Sequence, residues 1–134
     1  MKVTVSGGFD PIHKGHIALF KEAKKLGDEL VVILNCDKWL DKKKGKAFMS
    51  QEDRKIVIEA IKYVDSVYIH ESDDYDVVEA LKEIKPDIFA NGGDRYMENT
   101  PELDYCMEQG IRAVFGVGGN KIESSSNLLK KYAD

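Results

Sequence analysis

Short apolar runs alternate with amphipathic stretches along the chain. The runs Lys2–Ser6 and Leu30–Asn35 are rich in β-branched residues and predict strands, the second of them covered on both faces. Between them, Gly15–Leu26 carries apolar residues at helical spacing and stops at Gly27. The same pattern predicts three further strands, at Val67–His70, Asp87–Ala90 and Ile111–Val117. It also predicts three further helices, at Val77–Ile84, Pro101–Gln109 and Ser124–Tyr132.

Another helix is expected to begin after Ser50. Ser50 and Asp53 come close to a capping box, in which side chains of the first turn satisfy backbone amides that have no partner within the helix. The apolar residues of this helix are expected to face the core, and they are Ile56, Val57, Ala60 and Ile61.

Alternation of strands and helices predicts one α/β domain over residues 1–134. The expected architecture is a doubly wound, Rossmann-like parallel sheet of five strands with helices on both faces. Such sheets bind ligands beyond the carboxyl ends of the strands, where the strand order reverses. With the expected order 3-2-1-4-5, the loops Gly7–His16 and Asn91–Arg95 face that crevice.

Composition and charge restrict the function classes. The chain has 134 residues, of which 43% are apolar and 33% are charged, as in a folded domain. Its formal net charge of −4 argues against nucleic-acid binding, which requires a basic face. Positive charge is concentrated at Lys42–Lys46, and such a local basic segment suits a small anionic ligand.

No segment predicts a membrane or a secretory route. The longest apolar run, Leu30–Leu34, has five residues, whereas a membrane-spanning helix needs about 20. The N-terminus lacks the apolar segment of a signal peptide. Cys36 and Cys106 have no metal-binding spacing and are interpreted as reduced core thiols, so the expected location is the cytoplasm.

The loop after the first strand holds the richest chemistry. Gly7 and Gly8 allow a sharp turn and a close approach to a ligand. His13 and His16 lie three residues apart at the start of a helix, so both imidazoles can lean toward one point, and Gly15 leaves room for a phosphate. A metal pair is the alternative for these histidines, whereas His70, at a strand end, is interpreted as an ordinary histidine.

The segment Gly8–His16, with the sequence Gly-Phe-Asp-Pro-Ile-His-Lys-Gly-His, resembles the signature of the HxGH nucleotidyltransferase superfamily and, within it, the cytidylyltransferases. Ala23–Asp28 and Arg54–Asp65 are similar to the glycerol-3-phosphate cytidylyltransferase group. Asn91–Asp94 resembles the heptose-phosphate adenylyltransferases instead.

The resemblance implies transfer of CMP from CTP to a small phosphorylated acceptor, such as glycerol 3-phosphate or a phosphonate, with release of pyrophosphate. It implies that His13 and His16 donate hydrogen bonds to the phosphates during a direct in-line displacement, with Mg²⁺ on the triphosphate. Two alternatives stay open: an adenylyltransferase acting on a sugar phosphate or flavin mononucleotide, indicated by Asn91–Asp94, and a non-catalytic nucleotide-binding domain.

The resemblance also implies catalytic roles beyond the histidines. Lys43 and Lys46 are expected to clamp phosphates, although the whole segment Lys42–Lys46 could equally be a solvated loop. Arg54 matches an arginine near the phosphates in the family, and its alternative is a surface salt bridge with its acidic neighbours. The expected acceptor-binding residues are Asp37, which could also cap a short helical turn, Lys44 and Lys121.

The expected nucleotide-binding residues lie in three loops. Asp94 is also the candidate metal ligand, and Asp10 could orient a histidine or the metal or serve the turn alone. The last loop lacks the arginine that the family usually carries there, whereas its serines match. The resemblance suggests a homodimer with Lys62–Asp65 near the interface. The nucleotide-binding residues are Gly7, Gly8, Phe9, Asp10, Gly15, Gly92, Asp94, Ser124, Ser125 and Ser126.

Overall fold

The fold is a five-stranded parallel sheet with the spatial order β3-β2-β1-β4-β5. The structure is a computed structural model that describes residues 1–72, 76–92 and 100–118, apart from the side chain of Lys44. The predicted fold class and strand order are therefore confirmed. The strands are β1 (Lys2–Gly7), β2 (Glu29–Asn35), β3 (Ser66–His70), β4 (Ile88–Gly92) and β5 (Arg112–Val117).

Five helices connect these strands within the described ranges, and they cover both faces of the sheet. The predicted helix Ser124–Tyr132 lies outside the described residues. No helix in the described part of the chain is both long and apolar enough to span a membrane. The helices are α1 (Lys14–Lys24), α2 (Asp37–Lys44), α3 (Gln51–Glu59), α4 (Val78–Ile84) and α5 (Pro101–Gln109).

Two apolar layers hold the helices to the sheet. Even-numbered residues of β2, such as Val32, pack with Phe20 of α1 and Ile58 of α3. The alternate residue Ile33 packs on the opposite face with Leu81 of α4 and the helix α5. This alternation is the period of two that a strand imposes, and a strand covered on both faces is apolar at every position.

The inward face of α3 differs from the prediction. Ile56 is 65% exposed and Val57 37% exposed, whereas Arg54 is only 1% exposed and Ile58 is buried. The helix begins as predicted, because the Ser50 hydroxyl accepts a hydrogen bond from the amide of Asp53 at 3.2 Å. The predicted helix face was wrong because a charged side chain occupies a core position, which a reading based on apolar spacing does not anticipate.

The two cysteines are buried and form no disulfide, as predicted. Burial and the negative charge of Glu102 raise the pKa of the Cys106 thiol from 9.0 to about 11. This thiol is therefore protonated at neutral pH and behaves as a small apolar core residue.

The sheet places β1 between β2 and β4, so the order in which strands are added to the sheet reverses at β1. Helix α1 comes close to this edge because glycines face it. A Cβ atom on Gly92 would lie 2.9 Å from a methyl group of Leu19, and one on Gly118 would lie 3.0 Å from the Leu19 backbone. A larger side chain at Gly118 would meet the backbone of α1 and displace the helix, whereas at Gly92 the side chain of Leu19 would have to move.

Candidate active site

His13 and His16 form the first turn of α1. His13 is the N-cap, and its Nδ1 accepts a hydrogen bond from the amide of Gly15 at 3.1 Å. Nδ1 of His16 accepts a hydrogen bond from the amide of His13 at 3.2 Å, and the two rings stack with centroids 3.7 Å apart. Because a backbone donor faces each Nδ1, the hydrogen of each neutral ring is assigned to Nε2. The arrangement thus sets two Nε2–H donors at a helix N-terminus, where an anion is favoured.

The ring of Phe9 packs against the imidazole of His16. Its backbone lies in the left-handed region, with φ of 49°, and its side chain is 5% exposed. The ring meets His16 edge-on with centroids 4.9 Å apart and meets Phe20 with centroids 5.2 Å apart. Strained backbone of this kind persists only where the surroundings impose it, often at functional sites. Phe9, predicted as a nucleotide-binding residue, is thus placed to support His16.

Asp10 connects the signature loop to the segment before α3. Its side chain is 1% exposed, and its two oxygens accept hydrogen bonds from the amides of Phe48 at 2.6 Å and Met49 at 2.7 Å. A carboxylate that accepts two amide bonds is fixed in place. Asp10 therefore connects the signature loop with the segment Phe48–Met49, a role beyond the local turn that the sequence suggested.

Arg54 is buried under the same loop rather than paired with its acidic neighbours on the surface. Its guanidinium donates to three backbone carbonyls and to the carboxylate of Asp37, which lies 2.8 Å away. Asp37 is the first residue of α2, and the cap is Cys36, so the predicted capping role of Asp37 is wrong. Gln51, which sequence reasoning missed, accepts a hydrogen bond from the Asp37 amide at 2.9 Å.

The lysine segment is partly helical, although the sequence suggested a loop. Lys42 and Lys43 belong to the last turn of α2, which ends at Gly45 with φ of 96°. The ammonium of Lys43 lies 4.6 Å from the centroid of the Trp39 ring, a cation–π contact. Lys46 follows the helix and is exposed. The structure thus places Lys43 over Trp39 and Lys46 on the surface, while the side chain of Lys44 lies outside the described residues.

The predicted glycines lie at the expected edge. Gly7 ends β1, Gly8 follows it, Gly15 is in the first turn of α1, and Gly92 ends β4. A Cβ atom on Gly8 would lie 2.8 Å from Leu40, so this loop packs directly on α2. The remaining predicted site residues fall outside the described residues, and they are Asp94, Lys121, Ser124, Ser125 and Ser126.

Two buried polar residues end neighbouring strands: Asn35, which sequence reasoning missed, and His70, which it interpreted as an ordinary histidine. Asn35 and His70 are register partners at the ends of β2 and β3, and each is 4% exposed. Asn35 Oδ1 and His70 Nε2 have no hydrogen-bond partner within the described ranges, and the same holds for the indole nitrogen of Trp39. Buried polar atoms are normally paired. A signal was available for Asn35, because an amide ends an otherwise apolar strand at the edge where ligands bind.

A family model described as Cytidylyltransferase-like matches residues 4–116. The chain therefore belongs to the cytidylyltransferase-like family, within the HxGH nucleotidyltransferases.

Among proteins similar to this chain are archaeal FAD synthases. The FAD synthase of Ferroglobus placidus is 40% identical over 112 residues, which cover 84% of this chain and 72% of that relative. The FAD synthase of Pyrococcus horikoshii is 43% identical over 121 residues, covering 90% and 76%. The crystal structure of the lipopolysaccharide core biosynthesis protein from Thermoplasma volcanium superposes with a TM-score of 0.73 at 30% identity, covering 87% of this chain and 93% of that one.

These relatives correct the predicted nucleotide donor. The prediction of CMP transfer from CTP is wrong, because the matched relatives are FAD synthases and FAD contains an adenylyl group and no cytidylyl group. The alternative prediction, adenylyl transfer to flavin mononucleotide, agrees with these names. The signature loop did not distinguish the two donors, because phosphates, which its histidines are predicted to bind, are common to CTP and ATP.

Proposed function

We propose that the chain is an FMN adenylyltransferase, which transfers AMP from ATP to flavin mononucleotide and releases pyrophosphate. A phosphate oxygen of FMN attacks the α-phosphorus of ATP, and the bond from that phosphorus to the oxygen bridging to the β-phosphate breaks. The attacking oxygen is already anionic at neutral pH, so no general base is required. The protein's task is to hold the two anions in line and to stabilise the charge that develops.

The stacked pair of His13 and His16 carries this proposal. Both rings use Nδ1 to accept backbone hydrogen bonds, which orients Nε2–H as the donor toward the phosphates. The dipole and the amide groups at the start of α1 add positive potential at the same point. We assign to this pair the stabilisation of the α-phosphate and of the leaving pyrophosphate.

The remaining predicted residues have supporting roles in this proposal. Lys43 and Lys46 neutralise phosphates from the side of α2, and Gly7, Gly8, Gly15 and Gly92 keep the backbone close to the nucleotide. Asp94, Lys44, Lys121 and Ser124–Ser126 remain predictions that concern ATP or the acceptor.

Mg²⁺ is proposed to arrive with the triphosphate. Mg²⁺ prefers substrate phosphates and water to a cage made entirely of protein groups. Among the residues described, no three potential metal ligands converge. We derive no step through the ion, and Asp94 remains the candidate protein ligand.

A homodimer in the cytoplasm also remains a proposal. Ile56 and Val57 are exposed on α3, next to the segment Lys62–Asp65 that the family resemblance places near an interface. Light scattering of the purified chain tests it, because a mass of one chain of 15.1 kDa would contradict the dimer.

Formation of FAD tests the proposed reaction. The chain is incubated with FMN, Mg²⁺ and either ATP or CTP, and the flavin products are separated by chromatography. FAD is expected with ATP, together with an equal amount of pyrophosphate, and no dinucleotide is expected with CTP. Absence of FAD in the ATP reaction would refute the proposal.

A sugar phosphate is the second candidate acceptor. The specific observation in its favour is the likeness to the lipopolysaccharide core biosynthesis protein of Thermoplasma volcanium, at 30% identity over nearly the whole chain. Pyrophosphate release from ATP with heptose 1-phosphate, and none with FMN, would select this alternative.

A further inference from the structure

Arg54 uses its guanidinium to bind the protein itself. The side chain is 1% exposed, and four of its N–H groups, out of the five that arginine has, are donated to the carbonyls of Met49 (3.1 Å), Gly8 (2.8 Å) and Asn35 (2.7 Å) and to Oδ1 of Asp37 (2.8 Å). Only one N–H of the guanidinium is left over, and a side chain that is 1% exposed offers little surface to a phosphate. The geometry therefore argues against Arg54 as a phosphate ligand.

Asp37 is the partner that Arg54 contacts through a side chain, and that side chain reaches the surface. Its side chain is 37% exposed, whereas that of Arg54 is 1% exposed, so the carboxylate has an inner and an outer side. Oδ1 faces inward to Arg54, and Oδ2 has no protein donor among the residues that the structure describes. The Asp37 amide is also fixed, by Gln51. An oriented carboxylate oxygen therefore lies beside the signature loop, at the end of β2.

The positive charge of Arg54 neutralises the Asp37 carboxylate at a site that is proposed to bind anions. The proposed site takes up a triphosphate and a phosphorylated acceptor, and an unpaired carboxylate would repel both. The ion pair with Arg54 removes that net charge while leaving Oδ2 able to accept a hydrogen bond. A hydroxyl group is the fitting donor, because FMN carries a polyhydroxylated ribityl chain between its phosphate and its ring.

We infer that Arg54 is a positioning residue that acts through Asp37, and that Asp37 Oδ2 accepts a hydrogen bond from a ribityl hydroxyl of FMN. This inference rests on the proposed function and adds a specificity contact for the acceptor. Arg54 orients and neutralises Asp37, and it also holds the backbone of the signature loop through Gly8.

Steady-state kinetics of Arg54→Lys, Asp37→Asn and the double variant test the inference. Each single variant is expected to raise KM for FMN roughly 10- to 100-fold, the range for loss of a charge-assisted hydrogen bond. Asp37→Asn should keep KM for ATP within about twofold of wild type, whereas Arg54→Lys also loses the contact with Gly8 and should raise KM for ATP by less than it raises KM for FMN. The double variant is expected to be no worse than the more impaired single variant, because the two residues act as one unit. Arg112→Lys is the control, because Arg112 lies at the amino end of the outer strand β5. This variant should leave KM for FMN and KM for ATP unchanged.

A second measurement keeps the acceptor contact testable if Arg54→Lys does not fold, which thermal unfolding would show. An FMN analogue whose ribityl chain lacks hydroxyls should show a raised KM with the wild type, and Asp37→Asn should no longer distinguish it from FMN. A rise in KM for ATP equal to that for FMN, multiplicative effects in the double variant, or continued discrimination by Asp37→Asn would each overturn the inference while FAD formation stands. Failure of the wild type to form FAD would overturn the proposed function and, with it, this inference.

Discussion

The rings of Phe9 and His16 make an edge-to-face contact, with the two planes at 90° and the centroids 4.9 Å apart. His13 stacks against the same imidazole with an interplanar angle of 23°. His16 is therefore held by aromatic contacts as well as by its backbone hydrogen bond, which limits the directions that Nε2 can take. Such preorganisation is what a donor to a transition-state charge requires.

Replacing His16 with alanine is expected to abolish measurable turnover, with kcat lowered at least about 100- to 1,000-fold, because a transition-state donor is lost. The fold should remain intact, since His16 lies at a helix start and outside the apolar core. FAD formation measures the first effect and circular dichroism the second. Near-normal turnover of His16→Ala with ATP and FMN would contradict the assigned role.

Asp10 is expected to contribute to stability through its two amide contacts. Asp10→Ala leaves the amides of Phe48 and Met49 without that acceptor, which should lower the free energy of unfolding by about 1–3 kcal/mol. Asp41→Ala is a matched control, because Asp41 accepts an exposed amide bond from Ala47 and no second one from the residues that the structure describes. Urea unfolding measures both variants. Equal losses for the two would show that burial of Asp10 adds nothing.

Asn35 is expected to contribute little to stability despite its burial. Its Oδ1 has no hydrogen-bond partner in the described part of the chain, so Asn35→Leu removes a desolvation penalty and should leave Tm unchanged or raise it. Thr4→Val is the matched control on the same face of the sheet. The Thr4 hydroxyl donates to the carbonyl of Val31 at 2.7 Å, so that variant should lose about 1 kcal/mol. A larger loss for Asn35→Leu than for Thr4→Val would contradict this reading.

Stability is expected to fall with alkaline pH because of Cys106. The pKa of this thiol is raised from 9.0 to about 11 by burial and then by the charge of Glu102. Between these values the unfolded chain has lost the proton and the folded chain keeps it, so the unfolded state binds fewer protons and stability decreases as pH rises. Urea unfolding from pH 9 to pH 10 should therefore show a shallower decline for Cys106→Ala than for wild type.

The window above pH 10 needs a separate control. A hydrogen bond to Glu83, together with partial burial, raises the pKa of Tyr68 from 10.0 to about 12, which gives the same sign of pH dependence at higher pH. Tyr68→Phe removes that contribution. If the free energies of unfolding of Cys106→Ala and wild type decrease in parallel between pH 9 and pH 10, Cys106 is not the cause of the pH dependence.

The sheet could be predicted because its strands show two signals, an apolar run and a residue that separates this run from the neighbouring helix. The run Leu30–Asn35 is apolar at nearly every position, and Gly27 separates it from the helix before it. Right-handed crossovers then restrict the possible strand orders to a few, and 3-2-1-4-5 is the observed one. Local patterns and global topology agree here, which is why the fold could be predicted from the residues alone.

The interior of the site could not be predicted in the same way. Apolar periodicity placed Ile56 and Val57 inward on α3, but Arg54 takes the core position because carbonyls of three separate segments converge on it. That convergence is a tertiary property, which spacing along one helix does not encode. The nucleotide base was misjudged for a related reason, since His13 and His16 are predicted to bind phosphates, which are alike in CTP and ATP.

The contact between Lys43 and Trp39 has an optical consequence. Trp39 is the only tryptophan of the chain, so its indole is the sole source of tryptophan emission. The ring is 8% exposed, and the ammonium of Lys43 lies over it. If Lys43 binds a phosphate as proposed, its departure from the ring would change the electric field at the indole, and the emission maximum is expected to shift. Tryptophan fluorescence would then report nucleotide binding without an added label.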